Sequence, residues 1–231
     1  MSVNDLVLVQ GMKDTRRTLA SWQKDPMAVV GMWLGWSFLI AVGLLMSVYL
    51  IASNTTPDYL PLRIPGYHDP AGLADVLSVL YRNSLVLALH AMACVAGFMA
   101  GSSLPLSAAK RTGVSRWVHE KAGPLAIAFV ICATTFSLVT QAYVLGGGAA
   151  TLSWQLGLDP ATLIAVVSVH ALPELVALFL PLAAWMIASR AGDWHQLLAA
   201  TFVTTAIAVP VLVVSAVVEV YLTPELLLRL T

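Results

Sequence analysis

Charge is scarce in this 231-residue sequence. Asp, Glu, Lys and Arg make up 10% of it, and 59% is hydrophobic. A soluble domain carries about 25% charged residues, so the deficit predicts a surface that mostly faces lipid. Cysteine is almost missing as well. Cys94 and Cys132 both lie in apolar runs, where a thiol acts as a small hydrophobe, and no Cys/His cluster suggests a metal. Net charge is zero, so the total says nothing about nucleic-acid or acidic partners, and the distribution of charge carries the information. No glycine-rich loop resembles a nucleotide site, and no Ser/His/Asp arrangement is evident. The zincin signature H-E-x-x-H is absent; His170 and Glu174 form H-x-x-x-E interrupted by Pro173. These absences predict a non-enzymatic protein with no cofactor, no metal and no nucleic-acid partner. Residues 1–26 also lack a signal peptide's apolar core and cleavage site, and are too polar to insert.

What is present is a set of long apolar runs. A bilayer core of about 30 Å needs about 20 helical residues. The runs predict an all-α, polytopic bundle with five spans, at about 27–52, 84–106, 124–145, 161–189 and 197–222. Residues 27–231 then form one transmembrane domain, preceded by a cytoplasmic segment, 1–26. That segment reads as a solvated lead-in, with Leu6 to Val9 mildly apolar. Asp25-Pro26 and Asp159-Pro160 each read as an N-cap followed by proline at the first helical position. Prolines 57, 61, 65 and 70 forbid a helix between the first two spans. Ala74 to Tyr81 reads as a short surface helix before the second span. Gly146-Gly147-Gly148 reads as the end of the third. Pro173 should break the fourth, since proline removes a backbone donor and clashes with the carbonyl of Val169.

Lysine and arginine alternate between segments. The N-terminus, the 107–123 segment and the 190–196 loop hold nine of the twelve basic residues. By the positive-inside rule the N-terminus is cytoplasmic and the C-terminus outside.

Polar residues at membrane depth are costly and mark functional candidates. Glu174 and Glu219 head the set, with His170 beside Pro173. Asn83, opening the second span, and Gln141, late in the third, complete it. A break at Pro173 would put Glu174 in the first turn of a half-helix, where unpaired N–H groups favour an anion. The two glutamates are expected to face the bundle interior and to share one environment with His170 and Asn83. Three readings of that environment stay open: an interhelical polar clasp, a proton- or ligand-linked site, and a metal site. His90, on one helical face with Leu87 and Cys94, reads as a packed residue. His68, His119 and His195 fall in predicted loops and carry no assignment.

Four stretches carry a resemblance to a known family. They are Arg82-Asn83-Ser84, Gln141-Ala-Tyr-Val-Leu-Gly146, His170-Ala-Leu-Pro-Glu174-Leu and Val218-Glu219-Val-Tyr-Leu-Thr223-Pro224. With them, residues 81–231 resemble the stage II sporulation protein M family. The resemblance implies five spans, a bacterial or archaeal inner membrane, and a role as scaffold or complex subunit in cell-envelope biogenesis or remodelling. It also implies membrane or envelope protein partners, or self-association. The alternative, drawn from the residues, is a transporter or permease component using Glu174 and Glu219.

Overall fold

A computed structural model of the chain describes residues 7–109 and 111–231. Leu6 and Lys110 lie outside the described residues. The protein is 86% helical, with no strands among the described residues. Among the described residues eight α-helices follow one another: α1 Val7–Trp22, α2 Pro26–Asn54, α3 Leu73–Phe98, α4 Leu104–Ala109, α5 Gly113–Leu156, α6 Pro160–Ala191, α7 Leu197–Val217 and α8 Thr223–Leu228. A π-helical turn, Met99–Ser103, joins α3 to α4, and another, Val218–Leu222, joins α7 to α8. Counting through these turns, five helical stretches are long and apolar enough to cross a membrane. The five-span bundle of the sequence pattern is thus the architecture found.

The spans start where their caps predict. Asp25 Oδ1 accepts the Ala28 N–H at 3.1 Å, ahead of α2. Asp159 Oδ1 accepts the N–H groups of Ala161 at 2.9 Å and Thr162 at 3.1 Å, ahead of α6. Each satisfies donors that a first helical turn leaves unpaired. Hydrogen bonds from Thr162, its hydroxyl first and then its backbone N–H, hold the Asp159 carboxyl below the usual carboxylate range.

Four expectations need correction. First, α6 is unbroken: it runs 32 residues through Pro173 and Pro181. Breaking a helix at membrane depth frees several backbone groups with no water to satisfy them, whereas an interior proline frees far fewer. Glu174 therefore sits mid-helix and has no half-helix terminus beside it. Second, the glycine triplet does not end the third span, since α5 continues from Gly113 to Leu156. The real stop is Gly157, at φ +67°, with Leu158 N–H donating back to Ser153 O at 2.9 Å. That is the left-handed glycine cap a helix end requires. Gly146 instead sits against α2, where an added Cβ would lie 2.5 Å from Ile51. Third, residues 74–81 are not a separate surface helix but belong to α3, which starts at Leu73 and passes through Arg82. The start of α5 likewise makes 113–123 helical, His119 included. Fourth, the described part of the lead-in is helical over Val7–Trp22. α1 buries Gly11 and Thr18, and an added Cβ on Gly11 would meet Leu198 at 3.0 Å and Phe98 at 3.3 Å.

Contacts divide the chain into two compact units, and every span contributes to both. The first comprises residues 1–36, 87–134 and 179–207; the second comprises 37–86, 135–178 and 208–231. The first unit packs Trp33, Leu180, Ala183, Ala184 and Ala200 together, with Trp22 edge-on to Trp33 at 5.1 Å. His90 is fully buried there, edge-on to Phe179 at 5.3 Å, and Cys94 Sγ donates to Pro181 O at 3.1 Å. The second unit has two apolar clusters. Val76 and Val79 of α3 meet Ala216 and Val220, and Leu156 and Leu163 meet Leu227.

The proline-rich segment 55–72 belongs to the second unit and is tied down by its backbone. Asp58 N–H donates to Thr151 Oγ1 at 3.0 Å, and Leu62 N–H to Gln155 Oε1 at 3.2 Å. Gly66, at φ +82°, lies so close to the last π turn that a Cβ would sit 2.9 Å from Val220 O. Only glycine meets both conditions at no steric cost.

Candidate functional site

The site grows from the end of the last span. In the turn Val218–Leu222 the Thr223 N–H reaches Val218 O, five residues back, so the helix is wound one residue wider than α. Such turns are uncommon and frequent at functional sites. The Thr223 hydroxyl donates to the same carbonyl at 3.2 Å. His170 Nδ1 lies 2.8 Å from Thr223 Oγ1. The hydroxyl has one proton. When Val218 takes it, His170 must donate through Nδ1–H. The wide turn is therefore braced from α6, and Glu219 is its second residue.

Glu219 lines a cavity of about 340 Å³ within the second unit, with Glu174 from α6, Arg82 and Asn83 from α3, and Gln141 from α5. The remaining wall is largely apolar, including Val86, Val144 and Leu178. Glu174 interacts electrostatically with Glu219 and Arg82, and Asn83 lies beside it. Yet Glu174 Oε2 and Asn83 Nδ2 are both fully buried without a partner at hydrogen-bond geometry. Arg82 donates through Nε to Ser78 O at 3.4 Å, and the ion pairs within 4 Å do not include it. Gln141 is held by Ser137, Nε2 to Oγ at 3.0 Å.

A second cavity of about 120 Å³ adjoins this one. It shares Val79, Arg82 and Glu219, and is bounded by Asp75, Ser78 and Pro65. Asp75 is engaged at the start of α3, where its Oδ2 accepts Gly72 N–H at 2.9 Å.

Four of the five sequence candidates therefore come together: Asn83, Gln141, Glu174 and Glu219. His170 does not line the cavity; its ring is buried and bonded to Thr223. Two participants were missed. Arg82 reads in sequence as an interfacial cation at a span's start, and only an unbroken α3 carries it to the cavity. Thr223 reads as a mere same-face neighbour of Glu219. Its signal was the Thr-Pro pair at a helix start, which drew attention to a cap and away from the preceding turn. Among the described residues no group of three or more His, Cys, Asp or Glu could hold a metal ion.

Fold and cavity together define a multi-pass helical membrane protein with a polar pocket among its spans. The chain matches no family model, no curated protein and no solved structure.

Proposed function

We propose that this chain is a solute-binding membrane protein, the permease component of a transport system, with Glu174 and Glu219 as the groups that engage the solute. One observation carries the reading: a cavity of about 340 Å³ lined by six polar side chains from four different spans. A structural clasp would use up its polar atoms on each other. Here Glu174 Oε2 and Asn83 Nδ2 are buried side by side without reaching hydrogen-bond geometry with each other, and an unmade bond at a buried polar group costs about 1–3 kcal/mol. Small-molecule sites have this composition, mostly apolar walls with a few convergent polar groups, and span about 300–1,000 Å³.

The test is flux through the chain reconstituted alone in proteoliposomes. The expected result is pH-dependent solute or proton movement that Glu174→Gln abolishes while the protein still inserts and elutes as wild type. Sealed, inactive liposomes containing folded protein would defeat the reading.

A second reading is kept because of the resemblance to the stage II sporulation protein M family. On it the chain is a non-enzymatic scaffold or complex subunit in envelope biogenesis. It predicts a stable protein partner, or a second copy, retained through purification in gentle detergent. Both readings share a bacterial or archaeal inner membrane, the N-terminus in the cytoplasm and the C-terminus outside. The support for orientation is the basic excess of alternate segments. Thr231→Cys, with both native cysteines replaced, should label from outside intact cells. Labelling only after lysis would reverse the orientation.

A further inference from the structure

We infer that the ligand of this cavity is a small organic monocation, an amine or guanidine carrying a short alkyl body. The inference rests on the solute-binding reading above and names the class of solute. Charge is the first argument. Two glutamates and one guanidinium line the cavity, so with both carboxyls ionised the lining carries one formal negative charge for a ligand to balance. Arg82 acts electrostatically on both carboxyls but stands beyond 4 Å from each, so neither is tied up in a direct ion pair. An anion would face both carboxylates, and a zwitterion would leave the excess charge in place. Burying uncompensated charge is costly, so the monocation is the ligand that closes the balance.

Approach is the second argument. The smaller cavity carries a further carboxylate, Asp75, and meets the larger one at Glu219 and Arg82. The two linings together hold three carboxyls, Asp75, Glu219 and Glu174, against a single guanidinium. Rows of carboxylates at a pore lining favour cations. Glu219 stands at the junction of both cavities, on the turn that His170 and Thr223 brace.

The walls decide between a bare ion and an organic one. A divalent metal wants several hard ligands around it, and the described residues offer no cluster of three carboxylate, imidazole or thiol groups. The larger cavity instead sets two carboxylates against Val86, Val144, Leu145 and Leu178. That suits an ammonium or guanidinium head on an aliphatic stem. At about 340 Å³ the space is small for a ligand pocket.

The full chain in phosphatidylcholine nanodiscs, with empty nanodiscs as the blank, is titrated calorimetrically with four probes. They are butylammonium, γ-aminobutyrate, butyrate and calcium. Butylammonium should bind best, and Glu174→Gln and Glu219→Gln should each weaken it by roughly tenfold or more. Arg82→Gln should tighten it several-fold, a gain that damage to the fold cannot imitate. Preference for butyrate, γ-aminobutyrate or calcium, or butylammonium binding unchanged in both glutamine variants, overturns the inference. Flux of some other solute without butylammonium binding sinks the ligand class and leaves the transport reading standing. Butylammonium binding that depends on both glutamates, with no flux in proteoliposomes, keeps the ligand class and sinks transport.

Discussion

In the first unit small residues and indoles fill much of the space between spans, and the cavity of about 130 Å³ that remains is walled by Trp22, Trp33 and alanines. An added Cβ on Gly97 would lie 2.7 Å from Leu197 and 2.8 Å from Trp185, and one on Gly101 would overlap the Trp194 ring. In the second unit four of the spans leave a cavity of about 340 Å³ and line it with two glutamates. Each unit also buries a histidine, and the pair makes the contrast sharper. His90 packs edge-on against Phe179, whereas His170 reaches a hydroxyl and through it a helix turn. Burial alone does not tell the two imidazoles apart. What marks His170 is that its partner, Thr223, also holds the wide turn.

The comparison breaks most visibly at the glycines. Gly101→Ala should destabilise the protein by about 3 kcal/mol or more, since overpacking a well-filled site costs about 1–3 kcal/mol and here the clash is with an indole. Thermal unfolding in detergent measures it. Gly147→Ala in the second unit, where nothing lies within 4 Å of the new methyl, should leave stability unchanged or slightly raised. Equal losses in both would show that the two units are packed alike.

Thr223→Val comes next. It keeps the shape and removes the hydroxyl between His170 and Val218, stranding a buried ring nitrogen at a cost of about 1–3 kcal/mol. Solute flux should fall with it, because Glu219 loses the brace on its turn. His90→Phe in the first unit should spare flux. A Thr223→Val protein with normal flux would reduce His170 to a second packing residue.

Glu174→Gln should change stability by less than about 1 kcal/mol, the scale of polar contacts between membrane helices, yet abolish flux. If stability falls sharply instead while flux persists, the carboxyl is a clasp.

The smallest effect lies at the surface. Asp159 has its folded pKa depressed below the ordinary value of 3.8. Its contribution is therefore fully present above that value and lost as pH falls through the lower, folded one. Between about pH 5 and about pH 2 wild type should lose stability that Asp159→Asn, a cap without a titrating group, does not. Parallel pH curves for the two proteins would refute the assignment.

How much of this could be read beforehand depends on which physical signal a residue sends. The spans were legible because twenty apolar residues have few other fates. Their caps were legible because Asp25-Pro26 and Asp159-Pro160 use local chemistry. Span ends were misread wherever a residue's aqueous habit was assumed, as at Gly146-Gly147-Gly148 and Pro173. In lipid, unsatisfied backbone is so costly that helix persists through both. Glu174 and Glu219 stood out by their cost. Arg82 did not, since a cation at a span's start already has an ordinary explanation. The wide turn at Val218–Leu222 sends no sequence signal at all, because it is a matter of winding.

That turn has a consequence for length. A π turn is what an α-helix becomes when it absorbs one extra residue, so the last span holds one residue more than a regular helix of the same reach. Excising one residue between Val218 and Leu222 would let regular winding return. Everything beyond the excision would keep its place, while Glu219, inside the turn, would change direction. The pocket's acidity is in this sense a matter of counting. Through this turn, a change in residue number that leaves helix and composition almost untouched can remove a carboxylate from the cavity, and the reverse change can put one there.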